Sequence, residues 1–133
     1  MSAVMFTVPG KPFAKQRPRF SRKSGRAFTP KETVSFEQTV AAIAAQHFPQ
    51  PIAGPVRVDI LAVFEMPASW SQKKRDAHDD HPHTQRPDLD NIAKAITDGL
   101  NRIAFADDSQ IALLRVRKMW STTAHTEITV VPL

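Results

Sequence analysis

Apolar positions recur along this chain at two periods, and the switch between them marks its elements. From Pro55 to Met66, Val56, Val58, Ile60, Ala62 and Phe64 alternate with Arg57, Asp59, Leu61, Val63 and Glu65. That is the two-residue period of a strand. Leu61 and Val63 on the second face imply a central strand with both faces partly covered. Weaker alternation over Val4 to Val8 predicts a first strand, closed by a turn at Pro9-Gly10. Ile111 to Trp120 and His125 to Val131 predict two further strands, side by side, with Ser121 to Ala124 as their turn.

Helical spacing replaces alternation in two long stretches. In the first, Thr29 caps, Pro30 takes the first position and Glu32 completes a capping box. That helix runs to about His47, with Val34, Val40, Ala41, Ala44, Ala45 and Phe48 as its apolar face and Phe36 and Ile43 widening it. In the second, Leu89, Ile92, Ala93, Ile96, Leu100 and Ile103 share a face up to about Ala104. A short helix is expected near Ser69, with Lys73, Lys74 and Arg75 exposed. The elements predict a compact α+β domain, a mixed sheet packed by two long helices. At 133 residues the chain is one domain, 1–133.

Charge alters the picture because it is unevenly placed. Net charge is +5, yet residues 1 to 31 hold eight Lys or Arg and no acid, and the remainder sums to −3. Within a basic arm of about 9–31, Lys11, Lys15, Arg17, Arg19, Arg22, Lys23 and Arg26 are interleaved with Phe13, Phe20 and Phe28. Ser24-Gly25 reads as the tip of a hairpin between two extended arms. Such cations suit DNA phosphates, with Lys73, Lys74 and Arg75 as a second patch. Phe20, between Arg19 and Ser21, is the exposed aromatic expected to stack on an unpaired base. Phe28 and Phe13 are assigned to packing. Arg115 and Arg117 share one strand face and suit either DNA or solvent.

The chemistry gathers in a segment of about 83–110. Asp88 and Asp90 stand at the mouth of the second long helix, Lys94 follows one turn later, and Asp107 and Asp108 come after the helix. Taken singly these residues have plain readings. Asp88 caps the helix, and Asp90 with Lys94 is an i,i+4 surface pair. The positive helix end suits both acids. Asp90, Lys94, Thr97 and Asn101 share a polar face. Together, so many carboxylates are costly unless protons, a lysine or a metal offset their charge. Oxygen donors of this kind suit Mg²⁺. His78, Asp79, Asp80, His81 and His83 form a histidine-rich run, but it lacks the i,i+4 pairing of a helical zinc site. It reads as a mobile polar loop, with His83 near enough to touch substrate. The absence of cysteine excludes disulfides and thiolate metal sites. With no apolar run of about 18 residues and no signal-peptide pattern, a cytoplasmic protein away from membranes is expected.

PDLDN, Lys94 and DDSQI resemble the RusA family of Holliday-junction resolvases, and GKPFAKQRPRF is similar to the opening of phage members. The resemblance covers about Val8 to Lys118. It implies catalytic roles for Asp88, Asp90, Lys94 and Asp108, with Asp88, Asp90 and Asp108 as metal ligands. Asp107 and Asn91 are helpers. It further implies Mg²⁺ (with Mn²⁺ as the alternative), a homodimer, a branched DNA substrate and paired symmetric cuts in recombination and repair. A non-cleaving branched-DNA-binding protein of the same fold is the alternative. An aspartyl phosphatase is disfavoured because His81 to Pro87, rather than a buried strand, precede Asp88. One tension remains: a helix to Ala104 is about 24 Å long, which separates Asp90 from Asp108 unless the chain doubles back, Gly99 ends the helix early, or a second subunit intervenes.

Overall fold

The run from Val56 forms the middle of a sheet. In the computed structural model, which describes residues 2–133, strand β4 covers Val56–Glu65. Val56, Val58, Ile60 and Ala62 are buried, as the alternation requires, and Val63 and Phe64 are buried with them. Around it lie β1 (Val4–Pro9), β5 (Ile111–Ser121) and β6 (His125–Pro132), in the order β1-β6-β4-β5. β4 pairs parallel with β5 and antiparallel with β6, so the sheet is mixed. Strands β2 (Arg19–Phe20) and β3 (Ala27–Phe28) make a separate hairpin. The helices are α1 (Lys31–Ala45), α2 (Gln72–His78) and α3 (Leu89–Leu100).

The expected pairing of the last two strands is corrected. β5 and β6 are not neighbours: β4 lies between them, with Ser121 opposite Glu65 and His125 opposite Val63. The short turn after Ser121 therefore crosses the end of β4, which satisfies backbone groups on both edges of the most buried strand. The second face of β4 is partly covered, as expected: Val63 is buried and Leu61 half-buried. Leu61 lines an open groove with Met5, Asp59, Arg115, Arg117, Glu127 and Thr129, all from the sheet itself.

α3 buries Ile92, Ala93, Ala95, Ile96, Thr97, Gly99 and Leu100. Each fully buried Ile or Leu stabilises by about 1.5–3 kcal/mol. Leu89 is exposed instead, and Thr97, expected on the polar face, is inside. The helix stops at Leu100 rather than Ala104. Arg102 takes a positive φ of 70°, and the amides of Ile103 and Ala104 return to the Leu100 carbonyl. Phe105 is then fully buried. Gly99 does not end the helix; it lets α1 approach, since a Cβ there would lie 2.8 Å from Val40 Cβ.

α1 begins one residue later than its expected cap. Pro30 occupies the cap position without a side-chain bond, so no capping box forms. Its buried positions are Thr33, Val40 and Ala44, while Val34 is exposed. Thr33 is inside because its hydroxyl is tied to Gln16 of the arm. α2 starts at Ser71, not Ser69, because the Ser71 side chain accepts from the Lys74 amide. Val40 and Ala44 of α1, Ile92, Ile96 and Leu100 of α3, and the inner residues of β1, β4 and β6 form one core cluster. The chain is thus a single α+β domain with a mixed sheet and three α-helices. Among the described residues no helix is long and apolar enough to cross a membrane.

Candidate active site

The mouth of α3 leaves its acids available. Asp88 is at the N-cap position (φ −72°, ψ 146°), but its side chain makes no capping bond. Asp90 Oδ1 accepts only from the next amide, Asn91, at 3.0 Å. Both side chains are exposed. The chain entering the helix is held by Lys118 of β5, whose Nζ donates to the carbonyls of Gln85 (2.5 Å) and Pro87 (2.8 Å).

Lys94 does not pair with Asp90. Its Nζ is 2.8 Å from Asp98 Oδ1, one turn further on, and 3.7 Å from Asp108 Oδ2. The hydrogen bond to Asp98 raises the Lys94 pKa, against the opposing effect of burial, so the ammonium is held charged. Asp98 is itself shared with Lys15, whose Nζ is 2.5 Å from Oδ2. Burial pushes the Asp98 carboxyl up, but the hydrogen bonds from Lys15 and Lys94 outweigh it and hold the group below its ordinary value.

The early end of α3 lets the chain double back, to Lys94 rather than to Asp90. After Phe105 the backbone returns, and a 3₁₀ turn at Asp108–Gln110 brings Asp108 to Lys94. Asp107 is committed to that turn. Its carboxylate accepts from the Ser109 amide at 3.1 Å while Gln110 bonds back to the Asp107 amide. Hydrogen bonds from the Ser109 side chain and backbone hold Asp107 below the usual carboxylate range.

Lys94 and Asp108 are therefore brought together, while among the described residues Asp88 and Asp90 make no hydrogen bond or ion pair with another side chain. Among the described residues, no group of three or more carboxylates and histidines gathers as a metal cage. The donors still fit a hard cation in kind, because Mg²⁺ is commonly held by one or two carboxylates and keeps several waters. Of Asp88, Asp90 and Asp108, the first two are the less engaged, since Asp108 stands 3.7 Å from Lys94.

The basic arm divides at Arg17. Before it, the chain is anchored: Phe13 stacks on Phe36 at 5.0 Å, and the Lys15 amide donates to the Asn91 carbonyl at 2.8 Å. Lys15 therefore departs from the phosphate-binding role expected of it, since its ammonium is spent on Asp98, with Glu37 at 3.7 Å. Beyond it the hairpin forms as expected, with Gly25 at φ 65° and Ser21 bonded to Arg26 and Gly25. Arg17, Arg19, Arg22, Lys23 and Arg26 are exposed, as is Lys11. Among the described residues none of these six is in an ion pair. Phe20 is 76% exposed. Phe28, expected in the core, is 48% exposed, because a two-residue strand standing off the body offers no layer to bury it.

In the second basic patch Lys73 is free, whereas Lys74 lies over the Trp70 ring and Arg75 donates to the Pro67 carbonyl. Arg115 is paired with Asp59 through two 2.8 Å hydrogen bonds, its side chain 59% exposed. His83 is not at the surface. It is 5% exposed and stacks on Trp120 at 4.0 Å and Phe64 at 4.3 Å. Its segment is pinned along the free edge of β5, the His83 amide donating to Lys118 and the Trp120 amide to His81. The run is an edge extension, not the mobile loop expected.

Sequence reasoning overlooked Asp98 and Lys118. The i,i+4 rule that pairs Asp90 with Lys94 pairs Lys94 with Asp98 equally well, so Asp98 had a signal. Lys118 had none, because its partners are backbone carbonyls.

An exposed basic hairpin, exposed carboxylates at the mouth of α3 and a paired lysine are features that suit a polyanionic ligand. The chain belongs to the RusA family of endodeoxyribonucleases: that family, described as Endodeoxyribonuclease RusA, matches residues 9–131. It is also similar to the uncharacterized protein YqaN of Bacillus subtilis, at 36% identity over 135 residues, covering 96% of this chain and 95% of the relative.

Proposed function

We propose that this protein is a metal-dependent endodeoxyribonuclease that resolves four-way DNA junctions by paired symmetric nicks, in recombination and repair. The observation that carries this reading is the placement of Lys94. Its ammonium is fixed between Asp98 and Asp108, one turn from the free carboxylate of Asp90. A cation held there before substrate arrives stabilises charge developing on a scissile phosphate without reorganising.

Asp88 and Asp90, with Asp108, would hold Mg²⁺, or Mn²⁺ in its place. When bound, such an ion makes water a stronger nucleophile at neutral pH and offsets phosphate charge. Asn91, in the first turn of α3, orients a carboxylate or water. Lys118 keeps the chain before Asp88 in place through the Gln85 and Pro87 carbonyls. Lys11, Arg17, Arg19, Arg22, Lys23, Arg26 and Lys73 bind DNA phosphates, and Phe20 stacks at the branch point. A homodimer suits the substrate, because a two-fold protein matches the two strands to be cut.

The separation of the acidic residues favours one second reading, a branched-DNA-binding protein of this fold that does not cut. Asp90→Asn separates the two. Under the nuclease reading the variant binds a four-way junction at least as tightly as wild type, having lost one negative charge facing DNA, and its cleavage disappears. Undiminished cleavage by Asp90→Asn removes Asp90 from the chemistry.

A further inference from the structure

Three parts of the chain that lie far apart in sequence meet at Asp98. Oδ2 accepts from Lys15 of the arm and Oδ1 from Lys94 of the same helix. Lys94 in turn reaches Asp108 of the 3₁₀ turn. The burial of the two partners differs: the Asp98 side chain is 16% exposed and that of Lys94 is 55% exposed.

This asymmetry decides which residue positions which. A lysine is a flexible stem with a mobile charged tip, and a single exposed ion pair is too weak to fix it. Asp98 is not free to follow that tip. It is largely buried and held from its other side by Lys15. Lys15 is fixed in turn, because its amide is bonded to Asn91 and its ammonium stands 3.7 Å from Glu37. The neighbours of Lys15 are tied down as well, Gln16 to Thr33 and Phe13 to Phe36. The Lys94 ammonium thus rests between two carboxylates, of which Asp98 is the anchored one.

We infer that Asp98 is a positioning residue for Lys94, an assignment that rests on the nuclease reading above. Through Lys15, Asp98 also ties the placement of Lys94 to the basic hairpin. Asp98 does not touch substrate. It holds the cation that does, and it anchors the segment from which the DNA-binding hairpin projects. The charge arrangement near the scissile bond and the root of the substrate-binding arm therefore share one side chain.

The test compares wild type, Asp98→Asn and Asp98→Glu in single-turnover cleavage of a four-way junction with enzyme in excess and Mg²⁺ present. Junction affinity is measured in chelator, and the folded fraction by thermal melting. For Asp98→Asn the cleavage rate is expected to fall roughly ten- to hundredfold, the scale of a misplaced reacting group. Its junction Kd stays within about twofold, because the exposed hairpin cations that dominate affinity are unchanged and the arm before them keeps its other ties, the Lys15 amide to Asn91, Gln16 to Thr33 and Phe13 to Phe36. Asp98→Glu, which keeps the charge, is expected to be intermediate. A second readout needs neither substrate nor metal: the ¹⁵N-edited NMR signal of the Lys94 ammonium, visible in wild type because the group is held, is lost in Asp98→Asn.

A wild-type rate per folded molecule in Asp98→Asn overturns the inference. So does a rate loss no larger than the loss of folded protein. If Asp98→Asn does not fold, Asp98→Glu carries the test: a slower rate at unchanged Kd supports the inference, and an unchanged rate overturns it. If wild type itself cuts no junction, the nuclease reading fails instead. The ammonium signal in the two variants then decides alone whether Asp98 holds Lys94.

Discussion

His83 shows how a residue that looks reactive in sequence becomes structural in the fold. Stacked on Phe64 and Trp120, its ring is in a poor environment for charge. Burial, and then the nearby Lys118 ammonium, push its pKa below the ordinary 6.5. The unfolded chain therefore takes up this proton first as the solution is acidified. The stability linked to His83 is complete above about pH 6.5, the unfolded value, and is lost as pH falls through the lower folded value. Thermal melts of wild type should drop across that acidic window. Those of His83→Leu should lack this component, whatever its stability at pH 7.5. Parallel curves for the two proteins would contradict the assignment. At the same scale, Phe20 and Phe28, on the two strands of one hairpin, lie on opposite sides of legibility. The flanking Arg19 and Ser21 marked Phe20 as exposed. For Phe28 the pattern alone suggested packing, and only the hairpin's distance from the body shows that no core reaches it.

The close approach of α1 and α3 depends on Gly99. An added methyl would lie 2.8 Å from Val40 Cβ, 2.9 Å from Cγ1 and 3.2 Å from the Glu37 carbonyl. None of these is the free end of a flexible side chain, so the helices must separate. Overpacking of this kind costs about 1–3 kcal/mol, while alanine in a helix regains up to about 1 kcal/mol over glycine. Gly99→Ala is therefore expected to lower stability by about 1–2 kcal/mol in urea unfolding. A stabilised variant would show that the two helices are not in contact as described. Periodicity exposed the elements themselves, from the alternation of β4 to the apolar face of α3. It did not expose what neighbours decide. The insertion of β4 between β5 and β6 is a choice of pairing partner, and the turn length after Ser121 permits both arrangements. The end of α3 depends on the positive φ at Arg102 and on burial of Phe105, which no helical period reports. The same holds for the site. Lys94 and the acidic residues were visible as a motif, and the Asp107 cap is local to Ser109 and Gln110, whereas the commitment of Lys15 to Asp98 appears only when distant segments meet.

Across the whole molecule, the charge separation read from composition becomes a spatial one. Five of the eight N-terminal cations, Arg17, Arg19, Arg22, Lys23 and Arg26, lie at the root of the hairpin or on it, without ion-pair partners among the described residues, while five of the thirteen acids, Asp88, Asp90, Asp98, Asp107 and Asp108, lie on α3, at its cap or in the turn after it. That layout lets a polyanion be held by one part and acted on by another, which is what a family of endodeoxyribonucleases requires. The central claim is that this particular chain cuts branched DNA. The most direct measurement is cleavage of a synthetic four-way junction, beside linear duplex made from the same arms, with Mg²⁺ and with chelator. Paired symmetric nicks on the junction, absent from the duplex and abolished by chelator, are the predicted result. Tight junction binding without nicks, or equal cutting of the linear duplex, would contradict it.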